Sequence, residues 1–167
     1  LKLWLNLGRH PNIVEAQSIE SDSGRLFLKM EYIRPDSQGS VTLQDHLQAD
    51  QELIHGQLLL DWAIHICKGM EHALSRGMNC HLDLKPANIL IQDESTAKLS
   101  DFGLAMAANR AFSFCRNEED DEGSAFEFML SQSIVSAEGK HFTGTIGYLP
   151  PEVATGIEPS VKNDVYA

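Results

Sequence analysis

Two aspartates, a lysine and an asparagine cluster in the middle of the chain, in His81-Leu82-Asp83-Leu84-Lys85-Pro86-Ala87-Asn88 and, a little further on, Ser100-Asp101-Phe102-Gly103. Pro86 stiffens the loop that carries three of them, because its ring fixes the backbone φ. A divalent cation that prefers hard oxygen ligands would take the Asp101 carboxylate and the Asn88 amide oxygen. A phosphoryl transfer further needs a carboxylate at the attacking hydroxyl, the place for Asp83, and a cation near the moving group, the place for Lys85. The set can therefore hold a metal–nucleotide and orient a hydroxyl.

These groups are useful only if secondary structure holds them. Leu1, Leu3, Trp4, Leu5 and Leu7 form a helical run that Gly8 and Pro11 stop. Ile13 to Glu20 and Arg25 to Ile33 flank the turn formers Ser21-Asp22-Ser23-Gly24 and predict a strand hairpin. A polar loop follows, then a short helix from Thr42 with Leu43 and Leu47 four apart. From Gln57 to Arg76 the apolar residues Leu59, Trp62, Ala63, Ile66, Cys67, Met70 and Leu74 recur at three and four, which predicts the longest helix, with Gly77 as its C-cap. Ile89 to Ile91 and Ala97 to Leu99 predict a small hairpin, so the catalytic-type residues sit at strand ends. On periodicity alone Met30 and Leu90 read as core. Residues 106 to 142 lose this regularity and contain Glu118-Glu119-Asp120-Asp121-Glu122, five like charges that repel one another, so a solvated excursion is expected, with room for a short helix at Ala125 to Leu130.

Composition narrows the function classes. The 167 residues carry 13 Lys and Arg against 24 Asp and Glu, a formal charge of −11, which opposes nucleic acid as a partner and adsorption to anionic lipid. With 43% apolar residues the chain can bury a core of one domain's size. No apolar run approaches the roughly 18 residues of a membrane span, and no leader opens the chain, so a cytoplasmic location is expected. Cys67, Cys80 and Cys115 leave an odd thiol without a C-x-x-C pair, which argues against a disulfide scaffold and structural zinc. His65 and His72 lack a partner carboxylate at ligand spacing, which argues against a histidine-held metal. Leu1 in place of Met and the abrupt stop at Asp164-Val165-Tyr166-Ala167 read as a chain cut at both ends.

The segment from His81 to Asn88 resembles the catalytic loop of the eukaryotic-type serine/threonine protein kinases, and Asp101-Phe102-Gly103 resembles their D-F-G element. Asn88 follows Asp83 by five residues and Asp101 follows it by 18, the family's spacing. Gly144-Thr145-Ile146-Gly147-Tyr148-Leu149-Pro150-Pro151-Glu152 is similar to G-T-x-x-Y-x-A-P-E, with Pro150 for Ala; His10-Pro11-Asn12-Ile13-Val14 resembles the turn leaving the C helix, and Asp164-Val165-Tyr166 the start of the F helix. The resemblance implies an α+β, protein-kinase-like fold with partial N-lobe strands and the helical front half of the C-lobe. It implies an N-lobe remnant and hinge over 1–33, C-lobe helices with the catalytic loop and D-F-G over 34–105, an acidic activation-segment insert over 106–142, and the end of that segment with the F-helix start over 143–167.

Roles follow from the same resemblance. Asp83 matches the aspartate that takes or orients the substrate hydroxyl proton, and Lys85 the cation of the branch that phosphorylates serine or threonine. Asn88 and Asp101 match the Mg2+ ligands, and Thr145 the threonine bonded to that Asp and Lys. Met30-Glu31-Tyr32-Ile33 resembles the gatekeeper and hinge, with the backbone of Glu31 and Ile33 at the adenine edge of ATP and Leu90 beneath its ring. Asp164 would tie down the catalytic-loop backbone, and His81 would stack with Phe102. The implied activity is transfer of the γ-phosphoryl of ATP to a protein serine or threonine. Leu82 stands where the family has arginine, so control through a phosphorylated activation loop is doubtful. The Gly-rich loop, the β3 lysine and the C-helix glutamate match nothing in the sequence, so the 167 residues by themselves are expected to be inactive. The alternative, suggested by Leu82, Pro150 and the long insert, is a nucleotide-binding scaffold without transfer activity.

Overall fold

A computed structural model describes residues 2–23, 25–49, 56–102, 133–135, 141–143, 146–148, 150–154 and 160–167. The chain divides into two compact units, Leu1–Gly77 with Lys85–Asp101, and Met78–Leu84 with Phe102–Ala167. Small antiparallel hairpins and helices alternate, which is the α+β composition expected. Among the described residues no helix is long and apolar enough to cross a membrane.

The first unit opens with α1, Lys2–Leu7, which Gly8 ends in the left-handed conformation at φ +68°. Trp4 and Leu7 are buried, and the Trp4 indole N–H donates to the Val14 carbonyl at 2.8 Å. The chain then turns through Pro11 and runs Ile13 parallel to Leu99, with Val14 N–H donating to Leu99 O at 2.8 Å and Leu99 N–H to Asn12 O at 2.9 Å. β1, Ala16–Asp22, and β2, Arg25–Met30, form the expected hairpin, but β2 ends before Glu31 and leaves residues 31–33 outside the sheet. Met30 departs from the core reading: it is 46% exposed at the end of β2.

α2, Leu43–Ala49, is opened by a reciprocal cap in which Asp45 N–H donates to Thr42 Oγ1 at 3.1 Å and Thr42 N–H to Asp45 Oδ2 at 2.8 Å. α3, Gly56–Ser75, is the long helix, and Gly77 closes it at φ +90°. Its inward stripe differs from the one read from apolar spacing. Trp62, Gly69, Met70 and Ala73 are buried, whereas Leu59, Ala63 and Cys67 are exposed. The reason is Gly69: an added Cβ there would stand 2.6 Å from Asn12 O and 2.9 Å from a Leu99 methyl, so the missing side chain lets α3 approach the strand containing Leu99. His65 and His72 serve this packing, His65 Nδ1 accepting from Ala97 N–H at 3.4 Å and His72 Nε2–H donating to Leu7 O at 2.8 Å.

β3, Ile89–Gln92, and β4, Thr96–Leu99, pair antiparallel and complete this unit, preceded by a single 3-10 turn at Pro86–Asn88. The second unit contains β5, Ser133–Val135, and β6, His141–Thr143, an antiparallel pair inside the stretch where periodicity predicted no strand. Three-residue strands are too short to leave a readable alternation. A 3-10 turn at Ile146–Tyr148, α4, Pro151–Ala154, and α5, Val161–Tyr166, follow. The acidic run and the helix expected at 125–130 lie outside the described residues.

Candidate functional site

In the second unit the loop bearing Asp83 is built around a carboxylate from α5. Asp164 accepts the backbone N–H of His81 at 2.7 Å and that of Leu82 at 2.8 Å. α5 is itself fixed by Ser160, whose hydroxyl accepts Lys162 N–H while Ser160 N–H donates to Asn163 Oδ1. The two amides converge on one carboxylate because Leu82 adopts φ +68°, a left-handed conformation that a branched residue takes only when its surroundings impose it. Burial pushes the Asp164 carboxyl up, against the two N–H bonds and the nearby His81 that pull it down. The Cys80 thiol, next to this loop, is pushed up to about 11 by burial and by Asp164.

His81 is fully buried, and its ring packs on Phe102 with centroids 4.7 Å apart at 52°. His81 Nδ1 accepts Asp83 N–H at 3.4 Å, and Asp83 is itself buried. The carboxylate proposed to act on a hydroxyl is thus mounted on a loop whose backbone is restrained from below by α5 and whose preceding residue is packed against Phe102.

The first unit holds Glu31, Ile33, Lys85, Asn88, Leu90 and Asp101. Lys85 is extended, and Pro86 turns the chain so that Asn88 N–H donates to Lys85 O at 2.9 Å. Asn88 is buried, and its carbonyl accepts from both the N–H and the Oγ–H of Ser100, each at 2.9 Å. Ser100 immediately precedes Asp101, which is exposed and sits at φ +58°. The backbone of the residue whose amide is expected to hold a metal is therefore bonded to the serine that precedes the expected carboxylate ligand, at the end of the β3–β4 hairpin. Amide and carboxylate both offer hard oxygens, and a small divalent cation that keeps waters and phosphate oxygens needs no more than one or two such protein ligands. Among the described residues there is no group of three His, Cys, Asp or Glu that could hold an ion by itself.

Leu90 is half-buried on β3 opposite Lys98, and Ile33 is buried. Glu31 N–H donates to Glu15 O at 2.9 Å, so the first residue of the 31–33 segment is anchored to the residue before β1. Thr145 lies outside the described residues. Sequence reasoning missed Ser100 and Lys98. The signal for Ser100 was its place directly before Asp101, and the signal for Lys98 was a lone charge between buried Ala97 and Leu99.

The protein kinase domain matches residues 1–167, the whole chain. The chain is 28% identical over 164 residues to the serine/threonine-protein kinase PknD of Protochlamydia amoebophila, covering 95% of this chain and 16% of that protein. It is 27% identical over 158 residues to a probable serine/threonine-protein kinase PknB of Lactococcus lactis, covering 95% and 20%, and 32% identical over 170 residues to the rust resistance kinase Lr10 of Triticum aestivum, covering 98% and 23%. The chain thus spans less than a quarter of the length of each of these relatives.

Proposed function

Since the chain belongs to the protein kinase domain family, we propose that the protein containing it transfers the γ-phosphoryl of ATP to a serine or threonine hydroxyl of a protein substrate. The observation that carries this reading is the set Asp83, Lys85, Asn88 and Asp101 at the family's spacing. The substrate oxygen attacks the γ-phosphorus, the bond from that phosphorus to the β–γ bridging oxygen breaks, and ADP leaves. Asp83 takes the hydroxyl proton or orients it. Lys85 offsets negative charge on the moving phosphoryl group, and Thr145 is the residue to which the family resemblance assigns a bond to both side chains. Asn88 and Asp101 would hold Mg2+, which would supply positive charge against the phosphate oxygens. The backbone of Glu31 and Ile33 would bond the adenine edge, with Leu90 packing under the ring.

The reading is tested by expressing the full-length protein with Asp83→Asn and following labelled phosphate into a generic protein substrate. Transfer should fall by at least about 100-fold, the scale of a lost general base. Undiminished transfer removes the role from Asp83. Nucleotide binding by the wild type without any transfer would favour the scaffold reading that Leu82 suggests.

A further inference from the structure

Just beyond α1, the ring of His10 stacks on that of His72 near the end of α3, with centroids 4.6 Å apart and 23° between the planes. Each ring is committed at one nitrogen: His72 Nε2–H donates to Leu7 O at 2.8 Å, and His10 Nδ1 accepts Asn12 N–H at 3.1 Å. The second bond needs a lone pair on Nδ1, so it exists only while that nitrogen carries no proton. Asn12 is buried and holds the turn to its neighbours on two sides. Its Nδ2 donates to Ala97 O at 3.1 Å and its carbonyl accepts Leu99 N–H at 2.9 Å, while a Cβ on Gly69 of α3 would stand 2.6 Å from that same carbonyl. The turn 10–14 thereby seats β4 against α3, and β4 is the strand that runs into Asp101.

A proton on His10 opposes this arrangement in two ways. The new N–H on Nδ1 would face the Asn12 N–H, donor against donor, and the bond between them is lost. The new charge would also stand near groups of its own sign, His72 and Lys68 on α3 and Lys98 on β4, the last of them paired with Glu31. In its own turn the neighbouring charges Arg9 and Glu15 are bonded to each other at 2.8 Å. Burial first, and then these like charges, lower the His10 pKa from 6.5, so the folded arrangement disfavours the charged ring. His10 is half-buried, which leaves the charged ring a path to water.

We propose that the His10–His72 stack is an acid-sensitive switch: a proton on His10 breaks its bond to Asn12, releases the ring from His72 and loosens the turn 10–14 from α3 and β4, so that nucleotide with Mg2+ is held less tightly at low pH. The effect on nucleotide rests on the kinase reading above, through Asp101 beyond the end of β4. The loosening of the turn does not.

The test uses the full-length protein at pH 7.5 and pH 5, with amide hydrogen exchange expressed as protection relative to a free peptide at the same pH, and equilibrium binding of a fluorescent ATP analogue with Mg2+. His10→Asn removes the titrating ring and keeps the bond, because an asparagine side-chain oxygen readily accepts the N–H two residues on. In the wild type, protection of the Asn12 and Leu99 amides should fall about tenfold between pH 7.5 and pH 5, the scale of one lost hydrogen bond. In His10→Asn it should hold. The nucleotide Kd should agree between the two proteins at pH 7.5, and on acidification should rise at least about threefold more in the wild type, a comparison that cancels titration of the nucleotide itself. If His10→Asn fails to fold, His10→Gln takes its place on the same criteria. Protection at Asn12 that is equal at both pH values, or that falls alike in both proteins, overturns the switch and leaves the kinase reading standing. Protection that falls as expected with equal Kd changes in the two proteins overturns the link to nucleotide. A wild type that binds no nucleotide at either pH overturns the kinase reading, and the exchange data still decide the switch.

Discussion

Replacing Asp164 tests the argument that α5 holds the Asp83 loop in place. The carboxylate receives two backbone amides at 2.7 and 2.8 Å, from His81 and Leu82. Hydrogen bonds to a charged acceptor contribute about 1.5–3 kcal/mol each, and a backbone N–H left without a partner in a buried place costs about 1–3 kcal/mol. Burial of the carboxylate opposes this gain, which is why its pKa lies above the ordinary range. Leu82 at φ +68° adds about 1–2 kcal/mol of strain that the two bonds help to hold in check. Asp164→Ala, which strands both amides, should therefore cost about 3 kcal/mol in the full-length protein, and Asp164→Asn, which keeps one acceptor, about 1–2 kcal/mol. Urea unfolding measures the loss, and hydrogen exchange at His81 and Leu82 locates it. The folded-state pKa is raised, so this carboxyl's contribution is greatest below its unfolded value of 3.8 and declines as pH rises through the folded value. The Asp164→Asn penalty should accordingly be larger near pH 4 than at pH 7. Exchange at the two amides unchanged in Asp164→Ala, with a stability loss under about 0.5 kcal/mol, would refute the reasoning.

Further predictions concern packing and titration. Gly69→Ala should destabilise by about 1–3 kcal/mol in thermal unfolding although alanine is the better helix former, because the new methyl meets the Asn12 carbonyl at 2.6 Å and backbone must shift. Iodoacetamide at pH 7.5 should label the exposed Cys67 and spare the buried Cys80, whose thiol is pushed up to about 11; peptide mapping reads both sites, and equal labelling would contradict the burial of Cys80. His10 stacks on His72 with centroids 4.6 Å apart, and its Nδ1 accepts Asn12 N–H at 3.1 Å. Burial, then His72, Lys68 and Lys98, lower its pKa from 6.5, so its contribution to stability is complete above pH 6.5 and is lost as pH falls through the lowered folded value. The urea midpoint should drop between pH 7 and pH 5 in the wild type, and less in His10→Gln.

How much was legible beforehand depends on whether a feature is local. The helix ending at Gly8, the hairpin around residues 92–96 and the helix closed by Gly77 each follow from residues within a turn or two of one another, since caps and alternation are short-range effects. The candidate residues for the proposed chemistry were local in the same way: Asp83, Lys85 and Asn88 share one loop, and Asp101 ends the next hairpin, so their order and spacing survive in the linear chain. Residues 31–33 were read as the end of a strand, and β2 stops short of them because their anchors, Glu15 and Lys98, are remote in sequence.

The sequence alone determined the locally capped elements, such as the ends of α1 at Gly8 and α3 at Gly77, and the reactive residues available. Tertiary structure decided which face of α3 turns inward, because the close approach of Asn12 and Leu99 at Gly69 depends on residues 57 and 30 positions away. It likewise decided that Asp164, some 80 residues downstream, would hold Leu82 in a left-handed conformation, and that Lys98 would meet Glu31. Backbone preference and apolar spacing act over a few residues and leave a trace in the one-dimensional pattern; a hydrogen bond or an ion pair between distant segments exists only after chain closure has brought the partners together.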